Sequence, residues 1–162
     1  MSRNKRILRI ARFCLFAAIL VLVARFWKTN QKMTIPEADQ SMAPQFVGGS
    51  LVVVEPVDED DAIERDIDVV YAMHRDGVSY KRFGRVRGVP GDEMGSTDGR
   101  ITVNGTPIGP IALPGDALGT VPEGKLCILA LNPTETRYPD SRKLGFIPRS
   151  DVVAVIRYTM SR

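Results

Sequence analysis

The run FCLFAAILVLVA, Phe13 to Ala24, constrains this chain more than any other feature: twelve residues without a charge. Extended to Ile7 and Trp27 it reaches 21 residues, enough at ~1.5 Å per residue to cross a hydrocarbon layer of ~30 Å. The extension admits Arg9, Arg12 and Arg25 near its two ends, where long basic side chains snorkel toward headgroups. Phe26 and Trp27 suit the interfacial belt. Five Lys/Arg residues precede the run and three follow it closely, so the positive-inside bias points the N-terminus into the cytoplasm. A cleaved signal peptide is the alternative, but Leu22 is too bulky for an A-x-A site ending at Ala24. The expectation is an uncleaved single-pass anchor over residues 1–27 in the lipid bilayer of the cytoplasmic membrane. A linker over 28–40 and a body over 41–162 on the extracytoplasmic side complete that expectation.

The charge balance supports this division. A net charge of +3 invites a nucleic-acid reading, yet residues 1–32 hold eight of the 22 basic residues and no acid. The rest carries 14 basic against 19 acidic residues, a net of −5, which is a poor phosphate binder. No nucleic-acid partner is expected. One His and two distant cysteines, Cys14 and Cys127, cannot supply a zinc site, and a disulfide between them is not expected. No metal or cofactor is implied.

The body alternates short β-rich runs with Gly, Pro and acids. Leu51–Val54, Val69–Met73, Val78–Val86, Ile101–Val103, Leu126–Leu131 and Val152–Tyr158 read as strands. Arg75-Asp76-Gly77 and Asn104-Gly105 read as hairpin turns, since both offer residues that tolerate positive φ. The acidic run Asp58–Asp61 with Glu64 reads as a solvated loop. No amphipathic helix is evident after Trp27. The fold class is mainly β, an all-β body behind one N-terminal helix.

Nucleophilic chemistry needs a base beside a hydroxyl or thiol. The single histidine, His74, sits at a turn edge, where a solvent-facing role is the ordinary one. The other route is a Ser–Lys pair. A lysine of pKa ~10.4 is neutral about once in 2,500 molecules at pH 7, and lowering it by ~3 units costs ~4 kcal/mol of burial.

Three segments stand in an order that matters: Ser41-Met42-Ala43-Pro44; Arg85-Val86-Arg87-Gly88-Val89-Pro90-Gly91-Asp92; and Asp140-Ser141-Arg142 leading to Gly145 and Pro148. Behind a signal anchor, and with Val103-Asn104-Gly105 between the second and third, they resemble type I signal peptidases, the peptidase S26-like Ser–Lys membrane endopeptidases. The resemblance spans residues 13–158. It implies an all-β catalytic body of coiled sheets or a partial barrel. It also implies cleavage of signal peptides from membrane-inserted precursor proteins after a small residue. Ser41 matches the nucleophile, with its own N–H part of the oxyanion hole. Met42 would line the small-residue pocket, Pro44 would fix the turn, and Asp140, Ser141 and Arg142 would support the site.

The departures concern the base. The family's catalytic lysine position is Gly84. Lys81 is the nearest lysine, on the opposite face in a regular strand. A one-residue bulge at Phe83-Gly84 would bring Lys81 to the site as the base. A regular strand would leave no base, because Arg82, on the right face, cannot deprotonate. Asp39 stands two residues before Ser41, where a carboxylate opposes an oxyanion unless it turns outward. Tyr138 replaces a supporting serine, Asn132-Pro133-Thr134 replaces G-D-N, and Gly49-Ser50 replaces G-D. Three readings follow: a working endopeptidase using Ser41 and Lys81, a catalytically impaired relative that binds extended segments, or a dedicated pilin-type maturation peptidase.

Overall fold

In the computed structural model, which describes residues 3–109, 117–135 and 137–160, the β-branched clusters of the body form strands, whereas the apolar run near the N-terminus is helical. The elements in order are α1 (Arg3–Thr29), β1 (Gln31–Thr34), β2 (Leu51–Pro56), β3 (Asp68–Arg75), β4 (Val78–Gly88), β5 (Glu93–Thr97) and β6 (Arg100–Val103). Then come β7 (Thr106–Gly109), β8 (Gly119–Thr120), β9 (Lys125–Leu129), α2 (Ser141–Leu144), β10 (Ile147–Pro148) and β11 (Val152–Met160). The fold is mostly β, with antiparallel sheets behind one apolar N-terminal helix. Within α1, Arg9–Trp27 is long and apolar enough to cross a membrane and packs none of that window inside the protein.

Two sheets share the core. The seven-stranded sheet runs β1-β2-β11-β3-β4-β9-β10, and the four-stranded sheet runs β7-β6-β5-β8. Period-2 alternation sends Val52, Val54, Val70 and Phe83 to one face of the large sheet, with Ile35, Met42 and Phe46 laid over them. Val69, Tyr71, Val86 and Ile128 pack together in a second cluster. Met94, Ile101 and Val103 of the small sheet close on Cys127 and Leu129 of β9. A buried Val or Leu contributes about 1.5–3 kcal/mol on leaving water, so these clusters anchor the strands that carry the site.

The hairpin turns fall where the chain offers the right residues. Asp76 (φ 52°) with Gly77 (φ 76°) joins β3 to β4, and Asn104 (φ 50°) with Gly105 (φ 79°) joins β6 to β7. Residues 31–40 do more than link: β1 pairs with β2, and Ile35 and Asp39 are buried. The acidic run Asp58–Asp61 is exposed, as expected, and its Asp58 and Asp61 carbonyls accept from Arg149. Cys14 and Cys127 are both free thiols.

One expectation is corrected. β3 and β4 pair without a break from Asp68↔Arg85 to Arg75↔Val78, with Val70 opposite Phe83 and Val69 opposite Gly84. There is no bulge at Phe83-Gly84. The irregularity in β4 lies on its other side, against β9, between Val86 and Gly88. The physical reason is packing: Phe83 is buried on one face while the backbone of Gly84 is pressed against Ile128 on the other.

Candidate functional site

Ser41 sits in a loop whose two ends are tied together. Ile35 N–H donates to the Ser50 carbonyl and Gly49 N–H to the Ile35 carbonyl, both at 2.9 Å. Gly48 closes the loop, because a Cβ there would lie 2.1 Å from the Glu37 carbonyl oxygen. Met42 is buried beneath the loop against Phe46, Val70 and Phe83, and the Ala43–Pro44 peptide is cis, with Pro44 exposed. The loop is also held from the far end of the chain. Asn132 N–H donates to the Ser41 carbonyl at 2.9 Å, and Asn132 Nδ2 donates to the Gln40 carbonyl at 3.1 Å.

The hydroxyl of Ser41 is buried, the residue being 3% exposed, and its Oγ has no hydrogen-bond partner. Its backbone N–H donates to Asp39 Oδ1 at 2.9 Å. Asp39 is 1% exposed, so its carboxylate has turned inward onto the Ser41 N–H. Asp39 Oδ2 is buried without a partner.

Across the sheet, the regular register fixes which side chains share a face. Tyr80, Arg82, Gly84 and Val86 lie on one face of β4; Lys81, Phe83 and Arg85 lie on the other. Lys81 is exposed and is not hydrogen-bonded to Ser41, whose Oγ has no partner. The structure therefore does not bring Lys81 to Ser41, as the bulge expectation required. A side chain at Gly84 would meet Ile128 Cγ2 at 2.5 Å, the Leu129 carbonyl oxygen at 3.3 Å and Tyr71 Cε1 at 3.4 Å. The room for a lysine stem is already filled.

Arg82 is the cation on the Gly84 face, opposite Tyr71 of β3. Its guanidinium carbon lies 4.7 Å from the Tyr138 ring centre and 5.3 Å from that of Tyr80, both within cation–π range. Nη1 donates to the Lys81 carbonyl at 3.0 Å, and Nε is buried without a partner. Tyr71 is buried, and its O–H donates to the Pro139 carbonyl at 3.0 Å. Burial first, then the negative charge of Asp140, holds the Tyr71 phenol well above its ordinary pKa; Asp39 adds to this, while Arg82 and Arg142 oppose it. Tyr71 stays a neutral donor.

Asp140, Ser141 and Arg142 form one hydrogen-bonded group at the start of α2. Asp140 caps α2 by accepting from Arg142 N–H and pairs with the Arg142 guanidinium at 2.9 Å. Asp140 Oδ2 also accepts from Ala130 N–H, and the Ser141 hydroxyl accepts from Ile128 N–H at 2.9 Å. Arg142 Nη1 reaches the Pro133 carbonyl, so this pair staples the loop that carries Asn132. Arg85 forms a fork on Asp68 at 2.7 and 2.9 Å, and Gln45 bridges to both. The hydrogen bonds to Asp68 hold the Arg85 guanidinium above its ordinary pKa, against the opposing effect of burial. Tyr71, Gln45 and Asp68 were not singled out by the sequence, and of these only Tyr71, an aromatic with a hydroxyl in the run Val69–Met73, carried a local signal; Asn132 and Arg85 stood in the motifs without an assigned contact. Among the described residues no group of three or more His, Cys, Asp or Glu is placed to hold a metal ion.

Residues 7–160 match the family model described as signal peptidase, peptidase S26. Among solved structures, the chain is similar to the crystal structure of a signal peptidase I from Enterococcus faecalis V583. That match has 20% identity and a TM-score of 0.47, covering 60% of this chain and 98% of the other. No curated protein matches the chain.

Proposed function

This chain belongs to the signal peptidase, peptidase S26, family, and from that premise we propose that it is a membrane-anchored peptide-binding relative of those serine peptidases. In this reading it seats extended, small-residue segments of precursor proteins at Ser41 but has no Ser–Lys dyad of its own. The observation that carries this is the packed environment of Gly84, where Ile128 and Tyr71 occupy the space a catalytic lysine would need. A general base contributes about 10²–10⁴-fold to rate. An oxyanion-hole donor contributes about 10²–10³-fold, and Asp39 has taken the one that Ser41 offers. A site lacking both turns over at least about 10⁴-fold more slowly than one that has them. The binding side is better provided. The Ser41 loop is pinned at both ends and by Asn132, and buried Met42 supports it from below. A strand laid along it would add backbone hydrogen bonds and have alternate side chains read for size. The anchor α1 would hold that site close to a membrane surface, with the body on the extracytoplasmic side. Titrating the full chain in lipid nanodiscs with fluorescent peptides that end in Ala-Ser-Ala tests this reading. Saturable binding that weakens when Trp replaces the terminal Ala supports it; no binding refutes it.

A second reading rests on Ser41 Oγ itself, buried, unpartnered and set in an intact Ser41-Met42-Ala43-Pro44. If a base reached it, from a partner subunit or from a shifted β4 carrying Lys81, the chain would be a serine endopeptidase. It would cleave precursors either generally or, as a dedicated pilin-type maturation enzyme, for one client. Loss of cleavage in Lys81→Ala would support that reading, and unchanged cleavage would dismiss Lys81 from it.

A further inference from the structure

A cavity of about 60 Å³ lies between the small sheet and the end of β9, walled by Ile101, Ile108, Leu129 and Leu131. A single water needs only ~10–15 Å³, so a group of several heavy atoms fits. Two charged side chains reach it, Arg87 and Arg142, and no Asp or Glu is among the described residues that line it. Arg87 arrives there because β4 breaks its alternation. Val86 pairs with Ile128 and Gly88 with Cys127, which leaves Arg87 without an opposite residue on β9. A residue set out of register in this way is aimed apart from its strand neighbours.

The two cations differ in what they have left to give. Arg142 is spent on the chain itself: Nε and Nη2 hold Asp140, Nη1 donates to the Pro133 carbonyl and Nη2 to the Glu135 carbonyl. Its charge is matched by a carboxylate only 3% exposed. Arg87 donates from Nη1 to Asp66, a carboxylate 68% exposed, where an ion pair contributes little. Arg87 Nε and Nη2 have no partner among the described residues, and neither is among the buried unpartnered atoms, so both are open to a ligand. Like charges on one apolar cavity, with no acid in its wall, favour an anion. We propose that this cavity binds a carboxylate on a short aliphatic stem, with Arg87 Nε and Nη2 taking its two oxygens and the apolar walls its stem. A guanidinium fork matches those two oxygens, and the apolar walls select this ligand over a hydrated inorganic anion. The carboxylate has two sources, a free short-chain acid or a Glu side chain on a peptide seated at Ser41. The second rests on the peptide-binding reading above; the first stands without it. Asn132 gives the second its place, because it lies between Leu131 and Pro133 of the cavity wall and holds the Ser41 carbonyl.

The test melts the full chain in detergent at constant ionic strength, with propionate or its neutral counterpart propionamide added. A ligand at ~100 times its Kd raises Tm by about 5–10 °C for a chain of this size. Propionate should act at concentrations about tenfold lower than propionamide, the advantage typical of a hydrogen bond to a charged group. Arg87→Gln should abolish that advantage. Gly109→Leu should abolish it with both charges intact. A Cβ at Gly109 meets only Ile101 Cδ1, at 3.8 Å, among the described residues, so the backbone there accepts a side chain that fills the cavity. This variant carries the test if Arg87→Gln fails to fold. In a second arm, amidated fluorescent peptides ending in Ala-Glu-Ala or Ala-Gln-Ala are titrated against the full chain in nanodiscs. A propionate advantage identifies the free acid, and a tenfold preference for the Glu peptide that Arg87→Gln removes identifies the side chain. Stabilisation by inorganic phosphate equal to that by propionate overturns the carboxylate assignment. An advantage undiminished in both variants overturns the site, and no advantage in either arm overturns the proposal. Failure of every peptide to bind, with the propionate advantage intact, overturns the peptide-binding reading and leaves this site standing.

Discussion

A methyl group at position 84 tests the packing on which the account of the base depends. The ideal Cβ of Gly84→Ala would lie 2.5 Å from Ile128 Cγ2, a branch fixed at Cβ that cannot swing aside as the end of a flexible chain would. Overpacking of this kind costs about 1–3 kcal/mol. Replacing glycine returns about 0.4–1 kcal/mol by restricting the unfolded chain, so the net loss should be about 1–2 kcal/mol. For a chain of this size that lowers Tm by several degrees, at about 2–4 °C per kcal/mol, readable by circular dichroism in detergent. Ile128→Leu removes the offending Cγ2 while conserving volume, at a cost below about 1.5 kcal/mol alone. The double variant should therefore lose less than the two single losses combined. Gly84→Lys adds an ammonium whose burial costs ~4 kcal/mol for a three-unit shift, and should be the least stable of the series. If Gly84→Ala melts at or above the wild-type temperature, and Ile128→Leu adds to it independently, the site has the room that the packing denies.

Other perturbations probe the groups around it. Asp39→Asn keeps an oxygen for the Ser41 N–H and removes a buried carboxylate whose Oδ2 has no partner, so Tm should hold or rise; a fall of several degrees would mean that the charge is compensated. Arg85→Met leaves Asp68 buried without its fork and should cost about 3–5 kcal/mol in urea unfolding, whereas a loss under 1 kcal/mol would make the pair a surface bridge. Burial pushes the Cys127 thiol up to about 12 from 9.0, so the folded state favours the neutral form. The stability it confers is complete below pH 9 and is lost as pH rises toward 12; Cys127→Ala should show a shallower alkaline decline, and an identical decline would refute this source.

What the sequence disclosed, and what it hid, divides along a physical line. Strands dense in β-branched residues, such as Leu51–Val54 and Val152–Tyr158, announced themselves because burial and propensity agree there. β1 did not: Gln31–Thr34 is a polar edge strand with only Met33 half-buried, and it passes for linker. β8 and β10 are two residues each, too short for any periodicity. Ser41, Asp140 and Arg142 stand out because their motifs are contiguous. The room at position 84 does not: it depends on Ile128, 44 positions beyond Gly84 and brought against it by pairing of β4 with β9. Glycine in a strand signals either a bulge or a close approach. Here it is a close approach, and the irregularity belongs to Val86–Gly88, against β9. Asp39 likewise showed its type but not its direction. Only the hydrogen bond to Ser41 N–H reveals that it turned inward.

The central claim, that Ser41 stands in a peptide-binding site without a proton acceptor of its own, is tested most directly by a cleavage assay. The full chain in nanodiscs would be incubated with a signal-peptide-bearing precursor, beside Ser41→Ala and Lys81→Ala, and product followed by mass spectrometry. The account predicts no product above the Ser41→Ala background. Product that requires Ser41 would contradict it, and product that requires both Ser41 and Lys81 would place the base where the strand register does not.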